Sequence, residues 1–157
     1  MVRGRSVVLA MLMGLTMSGC VWARDVALVS NKSNAINGLA MAELTKMCKG
    51  ETARWQDGKP VRVVMRKPSL AEMKLVLEKV YGASESETMQ MIAAANHARA
   101  NHPAVVVVDT DQDVLNQVAS TPGAVGFVDV YSINSSVSVL KVGGHLPLEP
   151  GYALHGN

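Results

Sequence analysis

The sequence predicts an α/β fold in three layers, with a mostly parallel sheet flanked by helices. Short runs of β-branched residues alternate along the chain with segments of helical periodicity, which is the order of parallel βαβ units. Residues 104–108 are apolar throughout, as is typical of a strand that helices cover on both faces. We therefore expect this run to be a central strand of the sheet.

The other elements follow from shorter signals. Strands are expected at residues 26–30, 61–65, 124–130 and 137–142, and helices at residues 41–49, 69–82, 84–100 and 111–120. Two Ser-x-x-Glu capping boxes, Ser69 with Glu72 and Ser84 with Glu87, predict the starts of the second and third helices. Gly82 is expected to end the helix that Ser69 begins.

Residues 1–23 have the three-part pattern of a secretory signal peptide. Arg3 and Arg5 form a positive start, residues 7–17 form an apolar run, and small residues follow. The apolar run is shorter than the roughly 20 residues that a membrane-spanning helix needs. We therefore predict export to the periplasm or cell envelope, with residues 24–157 as the exported domain.

Two processing sites fit this leader. The segment Ser18-Gly19-Cys20 is similar to the end of a bacterial lipobox, in which the cysteine is acylated and becomes the first residue of a lipoprotein. Alternatively, Val21 and Ala23 satisfy the small-residue rule of ordinary signal peptidase, which would cleave after Ala23. The membrane would be contacted only through a lipid anchor on Cys20.

Composition and motifs exclude several classes of function. The chain has 15 Lys and Arg against 13 Asp and Glu, and removal of Arg3 and Arg5 with the leader leaves 13 of each. This balance does not indicate a nucleic-acid partner. The four His lack metal-ligand spacing, Cys48 is expected to be a buried thiol, and residues 109–113 lack the Gly and Glu of an EF-hand. The sequence therefore predicts no catalytic residue, metal or cofactor.

One feature of the sequence suits an anion. Arg66 ends the second predicted strand, and Ser69 begins the helix after it. Helix N-termini present free N–H groups to oxyanions, and an arginine adds a bidentate donor. Glu72 lies in the same first turn and would repel an anion, so the alternative interpretation is a capping box beside a surface arginine.

Several segments, in the same order, resemble phosphate-binding proteins of ABC transporters. They are residues 26–34, the Trp55-x-Asp57-Gly58 turn, residues 61–66, and Thr-Pro-Gly-Ala-Val-Gly-Phe-Val at residues 121–128, which is similar to the family's tPGAIGYV segment. The resemblance extends over nearly all of residues 25–154. It implies a fold like one lobe of a type 2 periplasmic binding protein.

The resemblance also implies a function, the binding of inorganic phosphate or a similar oxyanion for an ABC transporter permease. Arg66 matches the family's arginine, and Ser69 matches the serine of its Ser-Gly-Thr helix start after a one-residue deletion. Full-length members of the family hold phosphate between two lobes, and this chain resembles one lobe and lacks the first lobe's phosphate loop. The alternative is an accessory module of the cell envelope that binds a protein partner and no anion.

The lipobox interpretation predicts that Cys20→Ser moves the protein from the membrane fraction to the soluble periplasm, because the acylated thiol would be lost. Fractionation followed by immunoblotting measures this shift. Identical fractionation of the wild type and the variant would rule out the lipid anchor. Accumulation of the uncleaved wild-type chain in the cytoplasm would contradict export itself.

Overall fold

The computed structural model describes residues 24–99 and 101–156, so the leader and its predicted lipidation site Cys20 lie outside the described residues. The strands are β1 (Val26–Ser30), β2 (Gly38–Leu39), β3 (Arg62–Arg66), β4 (Val105–Val108), β5 (Ala124–Asp129), β6 (Ser138–Val139) and β7 (Lys141–Val142). The α-helices are α1 (Met41–Cys48), α2 (Lys74–Val76), α3 (Glu85–His97) and α4 (Asp111–Ser120). None of these helices is long and apolar enough to cross a membrane.

The central sheet has the strand order β4-β3-β5-β1-β6. Strand β3 pairs in parallel with both β4 and β5, whereas β1 is antiparallel to both β5 and β6. Four of these five strands therefore run in one direction, and β1 runs against them. This arrangement confirms the predicted mostly parallel sheet. Strands β2 and β7 form a separate parallel pair.

Helices cover both faces of the sheet because its inner strands are apolar on both sides. Leu28 and Phe127 point into one core, which α1, α3, the helix around α2, and Tyr152 and Leu154 of the C-terminal segment complete. Val29 points into the second core, on the face covered by α4. The three predicted layers are therefore present, and among the described helices α4 alone covers the second face.

Two glycines allow close packing around β5. A Cβ at Gly126 would lie 2.6 Å from Cγ1 of Val114 and 2.8 Å from Cγ2 of Val118, both in α4. Gly123 has a φ of +88°, and a Cβ there would collide with the carbonyl oxygen of Pro60. Glycine is required at these positions because the helix and the preceding loop approach the backbone so closely.

The predicted capping box of Ser69 and Glu72 is wrong. The Leu70 N–H donates to the Lys67 carbonyl at 3.0 Å, so Pro68 and Ser69 form the corner of a β-turn instead. Proline favours this position because its ring sets φ near the value that the turn needs. The helix starts after the turn, as a 3₁₀ turn (Ala71–Met73) that leads through α2 into a π-helical segment (Leu77–Tyr81).

The second predicted capping box is confirmed. The Ser84 hydroxyl accepts from the Glu87 N–H at 3.2 Å, and the Glu87 carboxylate accepts from the Ser84 N–H at 2.9 Å. These hydrogen bonds to Ser84 lower the pKa of Glu87. Gly82, with a φ of +61°, ends the preceding helix as predicted, and α3 ends at His97, earlier than expected.

The prediction that residues 104–108 form a central strand is wrong, because β4 lies at one edge of the sheet. Val105 is buried, while the three following valines are only partly buried. An apolar run indicates that helices cover both faces of a strand. It carries no information on whether another strand lies on each side.

The side chain of Asn96 closes part of this edge. Its Oδ1 accepts from the Val105 N–H, and its Nδ2 donates to the Val105 carbonyl, each at 2.9 Å. A residue near the end of α3 thus takes the place of a neighbouring strand at one position of β4. Covering an edge in this way is a common protection against unwanted strand pairing.

We predict that Asn96→Ala lowers the free energy of unfolding by about 1–3 kcal/mol, because both Val105 backbone groups lose their partners. Gln90→Ala, an exposed position on the same helix, is the matched control and should change stability by less than about 0.5 kcal/mol. Urea denaturation measures both. Equal stability of the two variants would show that the amide bridge contributes nothing.

Candidate functional site

The predicted arginine lies where the parallel strands end. Arg66 is the last residue of β3, and Asp111 is the first residue of α4, directly after the loop that follows β4. Because β3 and β4 are adjacent and parallel, their carboxyl ends lie side by side. Ligands of open α/β sheets bind beyond the carboxyl ends of the strands. Arg66 and Asp111 therefore lie at the position where a ligand is expected.

Arg66 and Asp111 form an ion pair that is mostly buried. Nε of Arg66 lies 3.0 Å from Oδ1 of Asp111, and the two side chains are 12% and 15% exposed. The contact is electrostatic, because the two atoms do not have hydrogen-bond geometry. Within the part of the chain that the structure describes, neither Nη group of Arg66 has a hydrogen-bond partner. The guanidinium is thus held on its Nε side and open on its Nη side.

The carboxylate of Asp111 is itself held in place. Its Oδ2 accepts from the Ser132 hydroxyl at 2.7 Å and from the Asp129 N–H at 3.4 Å. The position of Asp111 in the first turn of α4 favours its negative charge. Thr110 caps the same helix by accepting from the Asp113 N–H at 3.1 Å. The end of β5 and the 3₁₀ turn that follows it therefore fix the partner of Arg66.

A groove of about 980 Å³ lies along this pair. One wall is the helical segment around α2, and the other is formed by the ends of β1 and β5. The charged residues that line it are Arg24, Arg66, Lys74, Lys79, Glu72, Glu78, Asp111 and Asp129. These are four basic and four acidic side chains, so the groove has no net excess of positive charge.

Ser69 is not among the residues that line the groove. It is exposed at the corner of the turn between β3 and the helix. The structure places Arg66 in the groove together with Glu72, the residue expected to repel an anion, and leaves Ser69 outside. Anion binding by Arg66 and Ser69 stays a prediction.

Two other cations near the groove, Arg24 and Lys67, also have acidic partners. Nη1 of Arg24 lies 3.3 Å from Oδ2 of Asp129, and its guanidinium lies 5.4 Å from the centre of the Tyr131 ring. Nζ of Lys67 lies 2.7 Å from Oδ1 of Asp109, and this hydrogen bond and charge raise the pKa of Lys67. Each of these cations is therefore neutralised by a carboxylate of the chain itself.

In the described part of the chain, the remaining reactive groups are not arranged as a nucleophilic or metal site. Cys48 is a buried free thiol, as predicted, and burial raises its pKa to about 12. It therefore lacks the thiolate that nucleophilic chemistry requires at neutral pH. Nδ1 of His155 lies 2.6 Å from Oδ1 of Asp25, which ties the C-terminal segment to the start of β1. Among the residues that the structure describes, no three His, Cys, Asp or Glu side chains could hold a metal ion.

Sequence reasoning missed Asp111 and Ser132 as neighbours of Arg66. In the sequence the acidic cluster at residues 109–113 is compared only with an EF-hand, whereas in the structure Thr110 caps the helix that begins there. A usable signal was present, because Arg66 ends one predicted parallel strand and the acidic cluster follows the next one along the chain. Their juxtaposition depends on β3 and β4 being neighbours in the sheet, whereas the approach of Ser132 depends on the course of the chain after β5.

Comparison with known proteins agrees with this architecture. Residues 20–148 match the family model of the PBP superfamily domain, so the chain belongs to this family. No curated protein matches the sequence. Solved structures with the same fold include an ABC-type phosphate transport receptor from Vibrio cholerae, with a TM-score of 0.66 and 20% identity over 85% of this chain and 54% of that one.

Two further structures share the fold. PstS from Borrelia burgdorferi has a TM-score of 0.66 and 16% identity over 85% of this chain and 55% of its own. The phosphate binding protein from Stenotrophomonas maltophilia has a TM-score of 0.59 and 19% identity over 80% of this chain and 40% of its own. The chain thus spans about half the length of the structures it resembles.

We predict that Asp111→Asn lowers the free energy of unfolding by about 1–3 kcal/mol, because it leaves the mostly buried Arg66 without a counter-charge. Asp109→Asn is the matched control, since it breaks an ion pair whose side chains are 59% and 68% exposed. Exposed pairs contribute less than about 1 kcal/mol. Thermal or urea denaturation compares the variants. Equal losses would contradict a special role for the buried pair.

Proposed function

We propose that this member of the PBP superfamily domain family is an exported solute-binding domain that recognises phosphate or a similar oxyanion for an ABC-type transporter. Family membership and the shared fold support a binding role. The structures with this fold are described as phosphate-binding or phosphate-transport proteins. We extend that description to this chain as a proposal, with Arg66 as its principal ligand-binding residue.

The observation that best supports the proposal is that the Arg66 guanidinium has a partner at Nε and none at its Nη groups among the described residues. Asp111 holds Nε, while both Nη groups lack a partner among the described residues and the side chain lines the groove. The planar fork of arginine gives two parallel hydrogen bonds to one oxyanion. Because the side chain is already oriented by Asp111, an anion would not have to order it on binding.

The carboxylates in the groove determine which oxyanion fits. Asp111 and Glu72 repel a fully ionised anion, but an ionised carboxylate accepts a hydrogen bond from an anion that still carries a proton. Near neutral pH a large share of phosphate is monoprotonated, whereas sulfate is fully ionised. We therefore expect phosphate to bind more tightly than sulfate.

Ser69 has a smaller role in this proposal. Its hydroxyl lies at the exposed corner of the turn, three residues after Arg66. It would donate to the anion only if the turn between β3 and the helix moved towards the groove. We therefore expect loss of the Ser69 hydroxyl to weaken phosphate binding much less than loss of Arg66.

The alternative is an accessory module of the cell envelope that binds a protein partner and no anion. It is favoured by the acidic partners of Arg66, Arg24 and Lys67, which reduce the attraction for an anion. Tyr131, next to Arg24, is 72% exposed, and exposed aromatic side chains are enriched at protein interfaces. A transporter permease is the partner that the first proposal requires, and another envelope protein is the partner in the second.

Titration calorimetry of the processed protein distinguishes these functions. We expect phosphate to bind with a Kd near or above roughly 1 mM, worth about 4 kcal/mol, because the groove is open to water on one side. Arg66→Ala should abolish the binding heat, because the bidentate donor is removed. Sulfate at the same concentration should give less heat than phosphate.

Arg54→Ala is the control, since this exposed arginine lies outside the groove and should leave phosphate binding unchanged. Equal loss of heat in both arginine variants would indicate non-specific attraction to positive charge. No heat in the wild type at phosphate concentrations well above about 1 mM would contradict the oxyanion proposal and favour the protein-binding module.

A further inference from the structure

Strand β4 has the sequence of an interior strand and the position of an edge strand. All four of its residues are valine, and Val106, Val107 and Val108 are only partly buried. Edge strands of monomeric proteins are usually protected by a charged residue, a proline or very short length. The opposite edge, β6, has two residues and so follows this rule. Strand β4 does not.

Backbone hydrogen bonds show which groups of β4 face outward. The Val63 N–H donates to the Ala104 carbonyl, and the Lys67 N–H donates to the Val108 carbonyl. With the parallel register of β3 and β4, the even-numbered residues of β4 therefore bond to β3. Val105 and Val107 turn their N–H and C=O groups towards the open edge.

Only one of these two outward positions is closed. Asn96 accepts from and donates to the backbone of Val105. The N–H and C=O of Val107 have no hydrogen-bond partner in residues 24–99 and 101–156. One donor and one acceptor thus remain, side by side, in the middle of an uncharged apolar strand.

We propose that β4 is a dimerisation edge, at which the β4 strand of a second copy of this chain adds antiparallel to the first. Val107 of each copy lies opposite Val107 of the other, so the two residues exchange both of their free N–H···O=C hydrogen bonds. The two sheets then join into one across a two-fold axis. Such an interface is self-complementary, as closed dimers require.

Charge and side-chain chemistry favour a second copy as the occupant. In this register Val106 of one copy lies opposite Val108 of the other, so apolar side chains meet apolar side chains. Asn96 occupies the edge beside Val105, so pairing ends before Asp109 of the other copy, and the two Asp109 carboxylates do not face each other. No charged residue has to be buried at the centre of the joint.

This joint involves few residues, so the dimer forms only at high protein concentration. Asn96 limits the new pairing to the part of β4 around Val107. The proposal concerns the edge of the sheet and does not depend on what the groove at Arg66 binds.

Sedimentation velocity of the processed protein over a range of concentrations tests the proposal. The wild type should shift from monomer to dimer as concentration rises. Val107→Pro removes the outward N–H and leaves the hydrogen bonds to β3 intact. An edge strand tolerates proline at such a position because the missing N–H faces away from the sheet. We expect this variant to weaken dimerisation at least tenfold while its unfolding midpoint stays close to that of the wild type. A wild type that stays monomeric at all concentrations, or a variant that dimerises equally well, would overturn the proposal.

Amide hydrogen exchange of the wild type provides a second readout if Val107→Pro does not fold. Protection of the Val107 amide should rise with protein concentration, whereas protection of Val106, which bonds to β3, should not. Fast exchange of Val107 at every concentration would overturn the proposal. Full protection of the Val107 amide already in the monomer would also overturn it, because another segment of the same chain would then cover this edge.

Discussion

The structure depends on the antiparallel ladder between β1 and β5, which join the parallel part of the sheet to the start and the end of the chain. All five residues of β1 are buried, and Leu28 lies opposite Phe127 across the ladder. The C-terminal segment is attached to the same strand, since the Tyr152 hydroxyl donates to the Val26 carbonyl at 2.7 Å. The same ladder brings Arg24 at the start of β1 close to Asp129 at the end of β5. The groove exists where these strand ends meet the end of β3.

The electrostatics of the groove follow from this convergence. Each strand end contributes a charged residue, and the fold pairs these residues before any ligand arrives. An anion at the open Nη side of Arg66 would be attracted by the guanidinium and repelled by the more distant Asp111, so part of the Coulomb energy cancels. What remains for binding is hydrogen bonding by the two Nη groups. A site of this kind selects a ligand by geometry and protonation more than by net charge.

Local sequence signals predicted helices and strands well where the alternative conformation also depended only on neighbouring residues. The Ser84 box formed because Gly82 ends the preceding helix and leaves Ser84 free to begin the next. The Ser69 box did not form because Pro68 favours a β-turn that uses the same residues. The layers and the strand direction followed from the alternation of strands and helices. The pairing of Arg66 with Asp111 and the edge position of β4 depend on strand order, which periodicity does not contain.

The edge and the groove are linked through β4, because this edge strand leads into the loop that precedes Asp111. Only two residues lie between Val108 and Asp111, and Thr110 is already fixed as the cap of α4. A strand added at Val107 would therefore restrain the loop that leads to Asp111, whose carboxylate orients Arg66. Because Ser132 and the Asp129 N–H already hold Asp111, this restraint would add little order, and dimerisation and oxyanion binding would favour each other only weakly. If both proposals hold, their coupling would be limited by the short length of the joint, with the groove as the site of recognition and the edge as a modest contributor to its rigidity.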